Sequence, residues 1–324
     1  MAQQSVYDSD VVKDHVRQAT DLVFPALFAW LRLMQAPLIP AALFVLRQHS
    51  ALIFLAILSL LLSPAQTANG QAKMPPYPLD VAAAEDGTIY VADRYLPGVW
   101  KWKDGELSVF FQGSPKYRTP LNAARAIAIG PEGEVLVADT STRDIYKVTQ
   151  DKAEPITGGK IGMPMDIAVA TDGSLYIADL ELRRLFKIEA GATEPKELAA
   201  VNPRGVGIGA DGKVWVVSQQ NAQLQIVDDA GNAEAVVADR KFQFPHQIAF
   251  DKDGIAYVTD GYAKAVWKVA AGAEPLKLVS GEPLAGPVGI TAYKDGLLIA
   301  DPKARKVFQL SLDGKLTELF EIKQ

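Results

Sequence analysis

Six side chains with chemical potential stand at two adjacent positions of a recurring phrase in this 324-residue chain. The first position reads Leu79, Arg125, Met165, Arg204, His246 and Val288; the next reads Asp80, Ala126, Asp166, Gly205, Gln247 and Gly289. Arginine presents a planar fork of donors that matches a carboxylate or phosphate, so Arg125 and Arg204 brought together would hold an anion. His246 would join them; the other two histidines, His15 and His49, lie near the N-terminus. Asp80, Asp166 and His246 offer a metal set as an alternative, opposed by the repulsion of two arginines for a divalent cation. A third reading is self-neutralisation. Buried charge is costly unless paired, so Arg125 with Asp80 and Arg204 with Asp166 would pair along a channel whatever the function. Residues roughly 40 positions apart act together only if the chain repeatedly returns to one place.

The chain does return. Pro164–Ile188 (PMDIAVATDGSLYIADLELRRLFKI) holds three short apolar runs. The first two are joined by Asp172-Gly173, a dipeptide suited to a tight turn, and the third follows a polar loop that begins at Asp179. The same phrase begins at Pro78, Ala124, Pro203, Pro245 and Pro287. One marker position reads Asp93, Asp139, Asp179, Ser218, Asp260 and Asp301, at steps of 39 to 46 residues. A fourth short run follows each third one, for example Pro155–Thr157 and Leu316–Phe320. A four-stranded unit of this size cannot bury both faces alone, but six stacked radially can. The expected fold is an all-β six-bladed β-propeller over residues 73–324. Each blade would be continuous in sequence unless Lys73–Tyr77 adds a closing strand. In such a ring the starts of the inner strands surround the channel mouth, where the six candidates meet.

The marker aspartates recur in five units, which points to a local cap on backbone N–H groups rather than to catalysis. Asp86, Asp172, Asp211, Asp253 and Asp295, each followed by Gly, read as turns, with Glu132-Gly133 as the variant. Trp100, Trp102, Trp215 and Trp267 fall in strands and read as packing between blades. Tyr95, Tyr117 and Tyr262 fall in loops that would line a ligand face, and Gly113–Ala123 is the long connection available for recognition.

The pattern P-x-[GD]-[IV]-A…D-G-x-[IL]-Y-[IV]-A-D…[IV]-x-K-[IV] resembles the NHL repeat over residues 78–320. The resemblance implies the propeller fold. Similar propellers include protein- and RNA-binding platforms, gluconolactonase-like hydrolases, streptogramin lyases and peptide-amidating lyases, so fold alone does not choose the function. In gluconolactonase-like relatives the x of P-x-G supplies metal ligands. Here Leu79, Met165 and Val288 fill three such positions and arginine two more. Asp80 and Asp166 are one residue out of step, which in a regular strand points them to the other face. The stretch PHQIAF around His246 resembles the P-H-G element of streptogramin lyases, whose mouth carries several His and Glu. An amidating lyase would need a multi-histidine zinc site and disulfides, and the chain has no cysteine. The expected function is a monomeric binding or scaffolding module. It would hold a small anionic ligand or a protein partner through Arg125, Arg204, His246, Asp80, Asp166 and Gln247, with no catalytic residue, metal or cofactor. A lactonase-like hydrolase or streptogramin-lyase-like enzyme is the alternative.

Residues 1–72 differ in composition. Ala51–Leu62 (ALIFLAILSLLL) follows Arg47 and precedes a small-residue tail, as in a secretory signal peptide, with cleavage after Ala65 or Ala72. A retained membrane anchor is the alternative, although a spanning helix needs about 20 apolar residues. Upstream, Leu22–Leu46 is apolar but broken by Pro25, Pro37 and Pro40, which fits either a membrane-associated hairpin or a true start at Met34. Export to the periplasm or beyond is the expectation, with membrane contact only through this segment. A net charge of −5 without a lysine-rich block argues against a nucleic-acid partner.

Overall fold

The computed structural model describes residues 74–270 and 272–323; the signal, anchor and start-site readings lie outside the described residues. Strands β1 (Pro78–Ala83) to β24 (Leu316–Glu321) form six four-stranded antiparallel sheets, taken four at a time in chain order. No helix occurs among the described residues. The six inner strands are β1, β5 (Ala124–Ile129), β9 (Pro164–Val169), β13 (Pro203–Ile208), β17 (Pro245–Phe250) and β21 (Gly289–Tyr293). This is a six-bladed β-propeller.

Packing explains why the apolar runs do not alternate cleanly. The second strand of blade three, LYIAD, is buried along its whole length because neighbouring blades cover both faces. Outer strands are largely exposed; Ala233–Val237 in blade four buries only its last residue. Each core lies between blades. Ala82, Ala92 and Val99 of blade one pack with Ile127, Val135 and Val137 of blade two. The tryptophans behave as expected: Trp102 stacks on Phe320 across the seam between blades six and one, with ring centroids 5.5 Å apart, and Trp215 meets Phe250 edge-on.

Every strand pairs only with its sequence neighbours, and residues 74–77 add none, so no closing strand is borrowed. The seam is closed by Val81, Ile89, Val91 and Trp100 against Tyr293, Leu298 and Val307. Backbones approach closely there: a Cβ on Gly289 would lie 2.6 Å from the Cα of Asp80.

Turn chemistry follows the sequence in five blades, where Gly87, Gly133, Gly173, Gly212 and Gly254 take φ between 77° and 89°. Blade six differs. Its turn is shorter, Lys294 takes the left-handed conformation at φ 53°, and Gly296 instead pairs with Tyr293. One outer strand also moves. It covers Ala153–Pro155 rather than Pro155–Thr157, because Asp144 draws Thr157 into a loop through its N–H (2.8 Å) and hydroxyl (2.6 Å).

The marker aspartates are buried caps that tie two connections together. Asp301 accepts N–H groups from Lys303 and Ala304, in the loop after its own strand, and from Ala285 and Gly286, in the connection leading to the inner strand. Asp260 does the same with Ala263 on one side and Gln243 and Phe244 on the other. In blade four Ser218 replaces the acid and its hydroxyl accepts the N–H of Gln220 in the following loop; Gln223, like Asp144 in blade two, instead caps the connection to the next blade, accepting the N–H groups of Lys241 and Phe242.

Because the seam has no interlocking strand, its close approach must carry the closure. Gly289→Ala is expected to lower unfolding free energy by about 1–3 kcal/mol, the usual effect of overpacking, measured by denaturant titration.

Candidate functional site

The inner strands begin irregularly. In blade one the ladder pairs Pro78 with Asp93 and Asp80 with Ala92, skipping Leu79. Arg125, Met165 and Arg204 are skipped in the same way, and in blade five both His246 and Gln247 are. These are β-bulges, which re-aim side chains. They correct the expectation that Asp80 and Asp166 point to the opposite sheet face. With the ladder broken, the first position lines the mouth and the second turns to the axis beneath it.

Leu79, Arg125, Met165, Arg204, His246 and Val288 together line a mouth cavity of about 380 Å³. Arg94 and Lys303 add two cations to its wall, and Tyr77, Phe244 and Tyr262 add aromatic rings; no Asp or Glu lines it. In ring order, blades two to five contribute Arg125, Met165, Arg204 and His246, while blades six and one contribute Val288 and Leu79. Arg94 and Lys303 stand on blades one and six beside Leu79 and Val288, so cations ring the cavity with apolar side chains between them.

Arg125 is 5% exposed, and its Nη1 has no hydrogen-bond partner. Arg204 donates from Nε to His246 Nδ1 at 3.2 Å. Its guanidinium lies over Phe244, 4.8 Å from the ring centroid, and Phe244 stacks on Tyr262 at 4.4 Å. Burial, and then the charge of Arg125, lowers Arg204 to about 10. Burial and the charges of Arg204, Arg125 and Lys303 push His246 down to about 2, so its imidazole is neutral. Arginine Nε can only donate, so His246 Nδ1 is the acceptor and Nε2 carries the proton. The expected ion pairs of Arg125 with Asp80 and Arg204 with Asp166 do not form: among the described residues neither guanidinium has a carboxylate oxygen within 4.0 Å.

Asp80, Asp166 and Gln247 form a belt under the cavity instead. Each comes from an odd-numbered blade and caps a backbone N–H of the next blade. Asp80 accepts from Ile127 at 2.8 Å, Asp166 from Val206 at 2.9 Å, and the Gln247 amide oxygen from Ile290 at 3.2 Å. Gln247 also donates across the axis to Asp166 at 2.8 Å. The even-numbered blades supply Ala126, Gly205 and Gly289 at the matching position, and the two glycines leave no room for a Cβ. Burial pushes Asp80 up to about 6, opposed by its N–H donors and by Arg125. Burial and the facing Asp80 raise Asp166 well above the usual carboxylate range. Both carboxyls therefore take up a proton more readily than an ordinary aspartate, and Arg204 has no carboxylate oxygen within 4.0 Å among the described residues. Asp80 and Asp166 also floor a second cavity of about 300 Å³ that opens the other way between apolar side chains. Among the described residues no group of three His, Asp or Glu is placed to hold a metal ion.

Arg94, Lys303, Tyr77 and Phe244 were not foreseen. A signal existed for the first: the residue directly after the marker position lines the cavity in four blades, as Arg94, Thr140, Gly261 and Pro302. Tyr262 lines the mouth as expected, Tyr95 packs on Tyr77 at 5.3 Å, and Tyr117 is exposed and does not line the cavity.

A six-bladed propeller with an arginine-bearing mouth above a carboxyl belt defines the class. The virginiamycin B lyase family model matches residues 116–324, and the chain belongs to that family. Solved structures share the fold at low identity. Virginiamycin B lyase from Staphylococcus aureus is 16% identical, with 78% of this chain and 86% of that one covered and a TM-score of 0.59. A gluconolactonase from Xanthomonas campestris is 15% identical, covering 71% and 84%, with a TM-score of 0.59. A nidogen/laminin complex is 20% identical, covering 76% and 92%, also with a TM-score of 0.59. No curated protein matches the sequence.

His246 supplies a pH test. The unfolded chain protonates this residue below its ordinary value of 6.5, whereas the folded protein does not until about 2. Its contribution to stability is thus present above pH 6.5 and lost as pH falls. Relative to the His246→Gln protein, the wild type is expected to lose about 1.4 kcal/mol per pH unit between pH 6 and pH 4, measured by denaturation across that range.

Proposed function

We propose that this chain is an exported NHL-type propeller that works as a binding module for a small organic anion held at the channel mouth. The observation that carries this reading is a cavity lined by four cationic side chains and no carboxylate. Arg125 Nη1 is buried behind that wall without a partner, and an unsatisfied buried donor is destabilising, so an anion that draws the guanidinium toward it relieves that cost. The cavity volume lies in the range of small-molecule sites. The apolar side chains of Leu79, Met165 and Val288 between the cations suit the body of an organic acid whose charged end meets Arg125 and Arg204.

Family membership favours a second reading, a lyase with His246 as the base. Related structures include a catalytically inactive histidine-to-alanine variant of virginiamycin B lyase with quinupristin. In this chain the histidine lone pair at Nδ1 is engaged by Arg204, and Nε2 bears the proton. As placed, the imidazole donates rather than abstracts.

The deciding experiment compares thermal stabilisation of the full-length protein by carboxylates, by inorganic phosphate and by the matching neutral esters. Acids are expected to raise Tm and esters to leave it unchanged. Arg204→Leu is expected to weaken acid binding roughly tenfold to a hundredfold, the range of a lost charge-assisted hydrogen bond, in a folded protein. In parallel, quinupristin incubated with the protein is followed by mass spectrometry. Conversion that disappears in His246→Ala, with no preference for acids over esters, would replace the binding reading with the lyase reading.

A further inference from the structure

We infer that the mouth face of the propeller docks on an anionic lipid surface. The inference is independent of what fills the cavity. All six inner strands start at this face, so two sets of loops crown it: those joining the second and third strands of a blade, and those joining one blade to the next. The first set carries Arg94, Arg143, Arg183, Lys264, Lys303 and Arg305, all exposed. The second adds Lys116, Arg118, Lys160, Arg240 and Lys241, also exposed. Against them stand only three exposed acids in the same loops, Glu181, Asp239 and Glu282. Arg143 pairs with Glu181, Lys160 with Glu194 and Lys241 with Glu274. Among the described residues the other surface cations of this crown have no ion-pair partner within 4.0 Å. The marker aspartates do not offset them at the surface, since they are fully buried and their oxygens are taken by N–H donors.

The opposite face is the reverse. Its turns present Glu85, Asp104, Glu132, Asp172, Asp228 and Asp253, among other exposed acids. The net charge of −5 therefore conceals a propeller with a basic end and an acidic end. A field of this kind orients the molecule over a negatively charged plane and draws in only the mouth face.

Exposed apolar side chains select lipid over an acidic protein as the partner. Of the seven large hydrophobic residues exposed among the described ones, five belong to the mouth-face loops: Met74, Tyr117, Met163, Leu182 and Tyr262. Met163 and Tyr262 stand at the cavity mouth, while Met74, Tyr117 and Leu182 lie in the surrounding loops beside the cations. Tyrosine and aliphatic tips among lysines and arginines are the composition of an interfacial anchor. The chain also reaches the propeller on this side. Met74 lies before β1 at the mouth face, and in the sequence only residues 63–73 separate it from the apolar run Ala51–Leu62. Eleven residues span at most about 40 Å, so a bilayer that took up that run would hold this face within reach.

The test uses full-length protein and vesicle flotation, comparing phosphatidylcholine vesicles with mixed phosphatidylcholine–phosphatidylglycerol vesicles. Any contribution of the N-terminal run enters both, so the readout is the ratio of the two affinities. That ratio is expected to be at least about tenfold in favour of the anionic vesicles and to collapse when salt is raised. A variant carrying Lys116→Glu, Arg118→Glu, Arg183→Glu, Lys264→Glu and Arg305→Glu is expected to bring the ratio near one. The same five positions changed to Gln give a milder variant should the first fail to fold. An unchanged ratio in the folded variant, or no preference in the wild type, overturns the inference. Tighter binding to soluble polyglutamate than to anionic vesicles also overturns it, in favour of an acidic protein partner.

Discussion

The mouth of this propeller depends on a buried carboxylate that satisfies backbone N–H groups from two directions. The loop inside a blade and the connection between blades both leave strands, so both bring donors that no ladder pairs. An aspartate at the end of the second strand accepts from each and welds them into one rim. Unsatisfied buried donors would otherwise be costly. The site residues all hang from that rim or begin directly after it. Arg94 and Lys303 ride on the loop side, and Arg125, Arg204 and His246 follow the connection side. Where the acid is absent, in blade four, Ser218 keeps a bond to the loop side through the N–H of Gln220, and Gln223 caps the connection that leaves the blade.

Beneath the rim the bulges decide what the site can do. A regular ladder would have sent successive residues to opposite faces, leaving either the arginines or the aspartates out of the channel. The skipped residues in the inner strands of blades one to five admit both, at two levels. The lower level is a self-contained network in which two carboxyls and an amide meet backbone donors, and its burial raises both carboxyls above the ordinary aspartate range. The upper level is left with guanidinium groups that repel each other and an imidazole kept neutral by them. Electrostatic frustration is concentrated at the upper level, where solvent or a ligand has access, and it is relieved at the lower one.

The fold was legible in the sequence because it is written six times. The turn glycines, the marker aspartates and the apolar runs each state their role by recurrence, and averaging over copies removes local ambiguity. The membership of the mouth was legible for the same reason: positions that vary within an otherwise constant phrase are free of the fold's demands. What the sequence did not disclose is the level at which each residue sits. Asp80 and Arg125 occupy neighbouring offsets, and only the unpaired residue in the ladder separates cavity from belt. Arg94 and Lys303 reach the mouth from the loops one and two residues after the marker aspartate, positions that also vary from blade to blade. Blade six misled at Asp295-Gly296 because a shorter turn shifts the left-handed position to Lys294, a change that no dipeptide signal reports.

The belt has a symmetry that the blades do not. Large acceptors stand on blades one, three and five, and small residues on two, four and six, so each bridge runs from an odd blade to an even one. In the channel the true repeating unit is a pair of blades, and the ring is three such pairs laid end to end. Duplication or loss of a single blade would set two acceptors, or two small residues, side by side. It would leave a backbone donor facing a void or two carboxyls facing each other. A ring with this interior is therefore free to grow or shrink in its evolution by pairs of blades, although its outer architecture would accept them one at a time.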